Sequence, residues 1–274
     1  MRIGIIGGGI YGTAIAYFLQ QFGDPQVILF EKAEIGGEST SRSAGIIRHH
    51  YSRTGHIELA KRGREIIENF EEYVGQEAGF HRNGYLALTG AENEALFQQT
   101  IERQQQVGLA VETVDVDALD DHIDGIDATG VTAAALEQEA GFADPYLVAQ
   151  GFANAAADAG VCLRSNTEVT DIAVHQGVVE GVETTDGYVA VDYLINAGGP
   201  WGAEVGEMVD LELPLTWHES KVVVLSSDTP YGIGTPTVSD GPQHMYVKPE
   251  PGGEFIVGGI NRPKVDRDEG LEGV

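Results

Sequence analysis

Arg2-Ile3-Gly4-Ile5-Ile6-Gly7-Gly8-Gly9-Ile10-Tyr11-Gly12 opens the chain and decides how the rest is read. Arg2 to Ile6 is a short aliphatic strand that runs into Gly7-x-Gly9-x-x-Gly12, the spacing of a dinucleotide-binding turn. An apolar helical stretch, Thr13 to Phe22, follows and Gly23 stops it. Gln26 to Phe30 is a second strand that ends on an acid, Glu31, nineteen residues after Gly12. Gly7 permits the tight turn, Gly9 the approach of a pyrophosphate, and Gly12 close packing of helix on strand. The helix amino end offers N–H groups and partial positive charge to phosphates, and Glu31 can accept bonds from ribose hydroxyls. Glycines alone would be a weak signal; the strand, helix, second strand and acid in register make it a dinucleotide site.

Composition narrows the partners. The 274 residues exceed the usual single-domain size, and 42% of them are apolar, enough for a substantial core. The net charge is −27, from 43 acids against 16 bases, and such a surface repels nucleic acid and anionic membranes. The acids are dispersed and only five of the bases are lysines, a balance that fits a high-salt habitat where repulsion is screened. No run is long and apolar enough to cross a membrane, so membrane insertion is not expected. A single cysteine, Cys162, rules out an internal disulfide and any cysteine-based metal cluster. With a start already committed to strand and glycine turn, the expected compartment is the cytoplasm.

After Glu31 comes Lys32, then Gly36-Gly37-Glu38-Ser39-Thr40-Ser41-Arg42-Ser43-Ala44-Gly45, a loop of small and hydroxyl-bearing residues, leading to Ile46-Ile47-Arg48-His49-His50. Small residues let a flat ring approach and hydroxyls can bond its oxygens; a serine-rich surface loop is the plainer reading. Gly55 to Tyr73 has helical periodicity, Phe80 to Leu88 reads as a strand with Gly84 at a turn or bulge, and Ala91 to Val107 as a helix. Asp115 to Asp127 is an acidic turn region before a strand from Val131 to Leu136. Asp144-Pro145 opens a helix to about Ala159, with Asp144 as its cap. Thr167 to Ile172, a hairpin of Val178 to Thr184 with Tyr188 to Val191 around Asp186-Gly187, and Asp192 to Trp201 continue as β structure. Val222 to Leu225, Met245 to Lys248 and Phe255 to Val257 read as strands of a second sheet, before the polar stretch Arg267 to Val274.

Together, these segments resemble the D-amino-acid-oxidase superfamily of FAD enzymes, in particular its glycine/sarcosine oxidase and dimethylglycine dehydrogenase branch. The resemblance runs in order along essentially the whole chain. Gly7, Gly9, Ile10, Tyr11, Gly12, Glu31 and Lys32 resemble its pyrophosphate and ribose site. Ser39, Thr40, Ser41, Ser43, Ala44 and Gly45 resemble its flavin-contacting loop. Ala140 to Pro145 is similar to a recurring segment before a helix. Val169 resembles the strand that meets the adenine, and Asn196-Ala197-Gly198-x-x-Trp201 the strand end near the flavin. Tyr246-Val247-Lys248-Pro249 with Gly252 to Gly258 resembles a hairpin over the substrate.

The resemblance implies an α/β protein, α+β overall. A Rossmann-like FAD-binding domain with a parallel sheet and β-meander (residues 1–80 and 141–214) is interleaved with a substrate domain on a mostly antiparallel sheet (81–140 and 215–274). It implies oxidation of the C–N bond of a small amino acid or N-methylated amine by hydride transfer to FAD. Arg48 is then a candidate for carboxylate recognition or flavin-side charge, its fork suiting a carboxylate; pairing with one of the many surface acids is the other reading. Tyr246 is a candidate cap on the pocket, or a packed aromatic. His49 and His50 are candidates for titration near neutrality, or structural.

Two departures favour a dehydrogenase with an unknown electron acceptor over an oxidase. Gly45 stands where sarcosine oxidases have an arginine, and Ile256 where an oxygen-activating lysine is expected. Family members also continue with a segment that closes over the flavin, absent before Val274. A truncated sequence, a partner chain completing the site, and a non-catalytic FAD-binding fragment all remain open. So does an FAD-dependent 2-hydroxyacid dehydrogenase. A nicotinamide enzyme would leave the 39–45 loop and the Asn196 turn without a role.

Overall fold

A computed structural model of the chain describes residues 1–226 and 231–267. β1 (Arg2–Ile6) delivers the chain into α1 (Ile10–Gln21), and β2 (Gln26–Phe30) follows. After β3 (Ile46–Ile47) come α2 (Thr54–Glu68), α3 (Phe70–Val74), β4 (Tyr85–Thr89) and α4 (Glu94–Gln106). β5 (Val111–Val114), a 3-10 turn (Val116–Asp121), β6 (Ala133–Glu137), β7 (Gly141–Phe142) and α5 (Pro145–Asp158) lead to β8 (Cys162–Arg164). The meander of β9 (Val169–His175), β10 (Val178–Thr184) and β11 (Val189–Ala190) precedes β12 (Tyr193–Asn196) and α6 (Gly202–Glu207). The remaining strands are β13 (Trp217–His218), β14 (Val222–Ser226), β15 (Thr237–Asp240), β16 (Met245–Pro249), β17 (Glu254–Gly259) and β18 (Lys264–Val265).

Two main sheets organise these elements. The first is parallel throughout, in the order β12-β1-β2-β8. Parallel strands need cover on both faces, which is why β1 and β2 are nearly continuous aliphatic runs. Ile3, Ile5, Val27 and Leu29 pack under α1 and α5 against Ala16, Tyr17, Phe152 and Ala156. On the other face Ile6 and Phe30 meet Val169, Ile172 and Val182 of the meander. The second sheet runs β14-β17-β16-β15-β4-β6-β5 and is antiparallel except where β15 joins β4. Tyr85, Ala87, Ala133 and Ala135 face Ile57, Phe97 and Ile101, while Leu86, Leu88, Ala134 and Val238 form the opposite layer. The fold is therefore mixed α/β, with one parallel and one mostly antiparallel sheet. The pair β3–β7 (Ile46 opposite Phe142, Ile47 opposite Gly141) ties the chain between them.

Several local expectations need correction. The helix expected over Gly55 to Tyr73 breaks at Asn69, whose side chain caps the Glu65 carbonyl and lets α3 leave in a new direction. The strand expected from Phe80 starts at Tyr85, because Gly84 turns there with φ +80°. β15 and β5 carried too few apolar residues to stand out, yet both are ladder strands. Asp144 caps α5 as expected, accepting from the Tyr146 and Leu147 N–H groups at 2.9 and 3.0 Å. The expected polar tail after Arg267 lies outside the described residues.

Candidate active site

The glycine turn is braced from three sides. Gly7 N–H donates to the Phe30 carbonyl at 2.8 Å, Gly36 N–H to the Gly8 carbonyl at 2.9 Å, and Gly8 N–H to Glu31 Oε2 at 2.7 Å. Gly7 has φ +106°, a left-handed-side conformation that side chains avoid, and a Cβ there would overlap the Ala197 carbonyl. A Cβ on Gly12 would overlap the Gly7 carbonyl itself. These two glycines bring helix α1, β1 and the end of β12 to one point. Gly9 caps α1 with no side chain, and Thr40 Oγ1 accepts the Ile10 N–H at 3.1 Å. The positive end of α1 is thus left available to an anion.

From this turn a cavity of about 500 Å³ runs between the parallel sheet and the 36–47 loop. Of the residues expected at the cofactor, Gly7, Gly9, Ile10, Tyr11, Glu31, Lys32, Ser39, Thr40, Ser43, Gly45, Val169, Ala197, Gly198 and Trp201 line it. At one wall Lys32 Nζ lies 3.5 Å from the centroid of the Trp201 ring, a cation–π contact. Glu31 is buried, and its Oε1 also accepts the Ala33 N–H at 2.8 Å. Each carboxylate oxygen keeps a further lone pair for a hydroxyl.

Three expected residues stay out of the wall. Gly12 is packed beneath the turn against Gly7. Ser41 turns its hydroxyl back to the Gly37 and Glu38 carbonyls (3.0 Å to Glu38), so it stabilises its own loop. Ala44 is passed over as the chain reverses at Gly45, which has φ +65° and abuts the Ala143 carbonyl. Among the wall residues that sequence reasoning missed are Ile46, Ile47, Ala143, Pro145 and Met208. Their signal was apolar character, with Ala143 and Pro145 also in the segment that resembles the family's; long-range pairing such as β3 with β7 brings them here.

The catalytic candidates Arg48, His49 and Tyr246 are not among the residues that line the cavity; Arg48 and His49 are consecutive, and Tyr246 comes from β16. Arg48 donates from Nη1 to the His50 carbonyl and spreads its guanidinium over Tyr51 (4.5 Å to the ring centroid) and Tyr85 (5.7 Å). No carboxylate among the described residues pairs with it, so the surface-pair reading does not describe this arginine. His49 is buried, with its backbone N–H 2.7 Å and its Nδ1 3.3 Å from Glu137 Oε2. His50 Nδ1 lies 3.5 Å from Glu137 Oε1, which also accepts from Gln104 Nε2 at 2.7 Å. Burial pushes the Glu137 carboxyl up, but the bonds from His49 and His50 outweigh it and hold it at about 2.

Tyr246 and Ser239 are directly opposed on β16 and β15, and Ser239 opposes Ala87 on β4. Tyr246 therefore shares a sheet face with Tyr85 but stands two strands away. Its ring lies over Gly258 of β17, where a Cβ would overlap it, and burial pushes its hydroxyl pKa up. Arg48 and Tyr246 thus face the same side of the sheet without forming a pair. Lys248 was not anticipated as a site residue: it is buried directly opposite Ile256, with Nζ 2.6 Å from Glu250 Oε1 and 4.4 Å from the Phe142 ring centroid. Among the described residues no group of His, Cys, Asp and Glu can hold a metal, and no helix is long and apolar enough to cross a membrane.

A family model described as DAO, FAD dependent oxidoreductase, matches residues 2–272. The mitochondrial dimethylglycine dehydrogenase of Rattus norvegicus is 29% identical over 224 residues, covering 81% of this chain and 26% of that protein. The sarcosine oxidase subunit beta of Rhizobium meliloti (strain 1021) is 30% identical over 275 aligned positions, covering 93% and 62%. Among solved structures, L-proline dehydrogenase from P. horikoshii superposes with a TM-score of 0.86 at 26% identity, covering 99% of this chain and 74% of that one. The chain spans about a quarter of the first relative's length and less than two thirds of the second's.

Proposed function

We propose, from the premise that this chain belongs to the DAO family of FAD dependent oxidoreductases, that it oxidises the C–N bond of a small amino acid or N-methylated amine. Sarcosine, glycine and dimethylglycine define the substrate class, in line with the relatives named for such donors. The observation that carries the reading is the single cavity joining the Gly7–Gly9 turn, Glu31 and the Ser39–Gly45 loop. The amino end of α1 opens on it without a capping side chain at Gly9, and each Glu31 oxygen keeps a lone pair for a hydroxyl. The residues present therefore fit FAD. When bound, FAD supplies the hydride acceptor.

The protein's share is binding and orientation. Backbone N–H groups at the amino end of α1 receive the pyrophosphate, Glu31 the ribose, and Val169 the adenine. Ser39, Thr40, Ser43 and Gly45 border the flavin end, together with Ala197, Gly198 and Trp201. Arg48, with no carboxylate partner among the described residues and a guanidinium flattened by Tyr51 and Tyr85, anchors the substrate carboxylate. Tyr246 caps the same sheet face from the side of β17. His49, gripped by Glu137 away from the cavity, is given no proton-transfer step.

The acceptor is proposed to be something other than oxygen. Position 256 is isoleucine, and the buried charge of Lys248 opposite it is already met by Glu250 at 2.6 Å. A partner chain that completes the flavin end is part of the proposal, supported by the relative named as a subunit.

Purification and an absorption spectrum test the cofactor, and anaerobic bleaching by N-methylated glycines against 2-hydroxyglutarate tests the substrate. Bleaching by the amines supports the reading. Bleaching only by the hydroxy acid assigns a 2-hydroxyacid dehydrogenase, and a yellow protein that no donor bleaches assigns a non-catalytic FAD-binding subunit. A protein that takes up no FAD sinks the proposal.

A further inference from the structure

We infer that Glu137 is the positioning residue for Arg48, a role that rests on the carboxylate-anchor reading above and extends it. Glu137 ends β6 in an otherwise apolar layer, with its side chain 2% exposed. A lone carboxylate in such a layer is costly, and a well-packed apolar side chain would serve stability as well or better. Something other than packing accounts for it.

Its four contacts, two of them hydrogen bonds, show what. Oε2 receives the His49 backbone N–H at 2.7 Å and faces His49 Nδ1 at 3.3 Å. Oε1 receives Gln104 Nε2 at 2.7 Å and faces His50 Nδ1 at 3.5 Å. Three of the four come from two consecutive residues immediately after Arg48. That segment has no ladder of its own: it leaves β3, whose Ile46 and Ile47 line the cavity, and reaches α2 only at Thr54. The Glu137 carboxylate ties it to the second sheet through the His49 N–H.

Register explains how the tether sets the guanidinium. Glu137 and Tyr85 are opposed on β6 and β4, so their side chains stand side by side on one face. Glu137 holds the backbone after Arg48 while the Tyr85 ring lies 5.7 Å beneath its guanidinium. His50, whose Nδ1 faces Glu137 Oε1 at 3.5 Å, offers the carbonyl that receives Arg48 Nη1 and packs its ring against Phe97 at 5.1 Å. Backbone, carbonyl and ring floor all refer to one carboxylate. A glutamine carries no charge and has one acceptor oxygen where Glu137 has two. The His49 backbone N–H is a fixed donor and takes that oxygen, so the amide NH2 of Glu137→Gln faces Gln104, which must turn its own amide to receive it, and His50 loses the carboxylate oxygen it faces.

The test uses the FAD-loaded chain. Acetate, as the probe carboxylate, is titrated calorimetrically, and sarcosine turnover is measured with an artificial acceptor. Glu137→Gln is expected to keep wild-type FAD affinity, bind acetate about tenfold more weakly, and raise KM about tenfold with kcat within about threefold. His50→Phe removes the imidazole nitrogen that faces Glu137, keeps a ring against Phe97, and is expected to shift acetate affinity in the same direction by about threefold; it carries the test if Glu137→Gln does not fold. Unchanged acetate affinity in a folded variant that retains FAD overturns the inference. A fall in kcat and stability with acetate binding untouched does the same, assigning Glu137 to structure alone. Failure of the wild-type chain to bind acetate overturns the anchor reading of Arg48 instead, and the inference with it.

Discussion

The Gly7 carbonyl oxygen occupies the space that a Cβ on Gly12 would need. The turn and the helix that follows it are in backbone contact, so the first turn of α1 is held against the residue that follows β1. Gly12→Ala must push the two apart. The expected outcome is a folded protein by circular dichroism with FAD affinity lowered at least about tenfold. A yellow variant with wild-type affinity would show that the turn relaxes without moving the cavity.

Glu31 sits at the other side of the same turn, each of its oxygens bonded to a backbone N–H, those of Gly8 and Ala33. In Glu31→Gln the amide nitrogen must face one of these donors. The expected loss is roughly 1–3 kcal/mol, read as about a ten- to hundredfold fall in FAD affinity by titration of the apoprotein. Glu31→Asp, too short to reach both donors, is expected to fall between the two.

Asp144 provides a control remote from this chemistry. It caps α5 through the Tyr146 and Leu147 N–H groups, so Asp144→Ala is expected to cost about 1 kcal/mol and to lower Tm by about 2–4 °C. FAD affinity is expected to hold. A large loss of flavin would mean that Asp144 has a second role.

Acid unfolding reports on Glu137. Its folded-state carboxyl sits at about 2, below the ordinary 4.5, so its ionised form stabilises the fold at pH above 4.5 and this contribution fades as pH falls toward 2. The groups facing it are His49 and His50 from the 48–51 segment, Gln104 from α4 and Tyr85 from β4. Urea midpoints of wild type and Glu137→Gln are therefore expected to converge between about pH 5 and about pH 2. Parallel curves over that range would contradict the assignment.

Gly45 shows where sequence and structure each carry weight. From the chain alone it was a residue of the expected flavin-contacting loop, standing where sarcosine oxidases have an arginine. In the fold it has φ +65° and meets the Ala143 carbonyl, so no side chain fits, and an arginine there would require a different path for the loop. Ser41 makes the same point in reverse: its composition fits a cofactor loop, yet local bonds to Gly37 and Glu38 keep it there as a turn former.

The amino-acid sequence by itself determined the dinucleotide turn, the β1-α1-β2 unit, the Asp144 cap and the family resemblance, because each depends on neighbours within a few residues or on glycine where Cβ cannot fit. Only the tertiary structure decided that His49 sits against a buried carboxylate, Glu137, that Lys248 is buried beside Glu250, and that Tyr246 stands two strands from the Tyr85 ring that packs on Arg48. Those facts come from pairings such as β3 with β7 and β4 with β6 and β15, which join residues 48, 85, 137 and 246 across long stretches of chain. Local periodicity carries no information about which strand will be the neighbour; burial and hydrogen-bond register across the assembled sheet do.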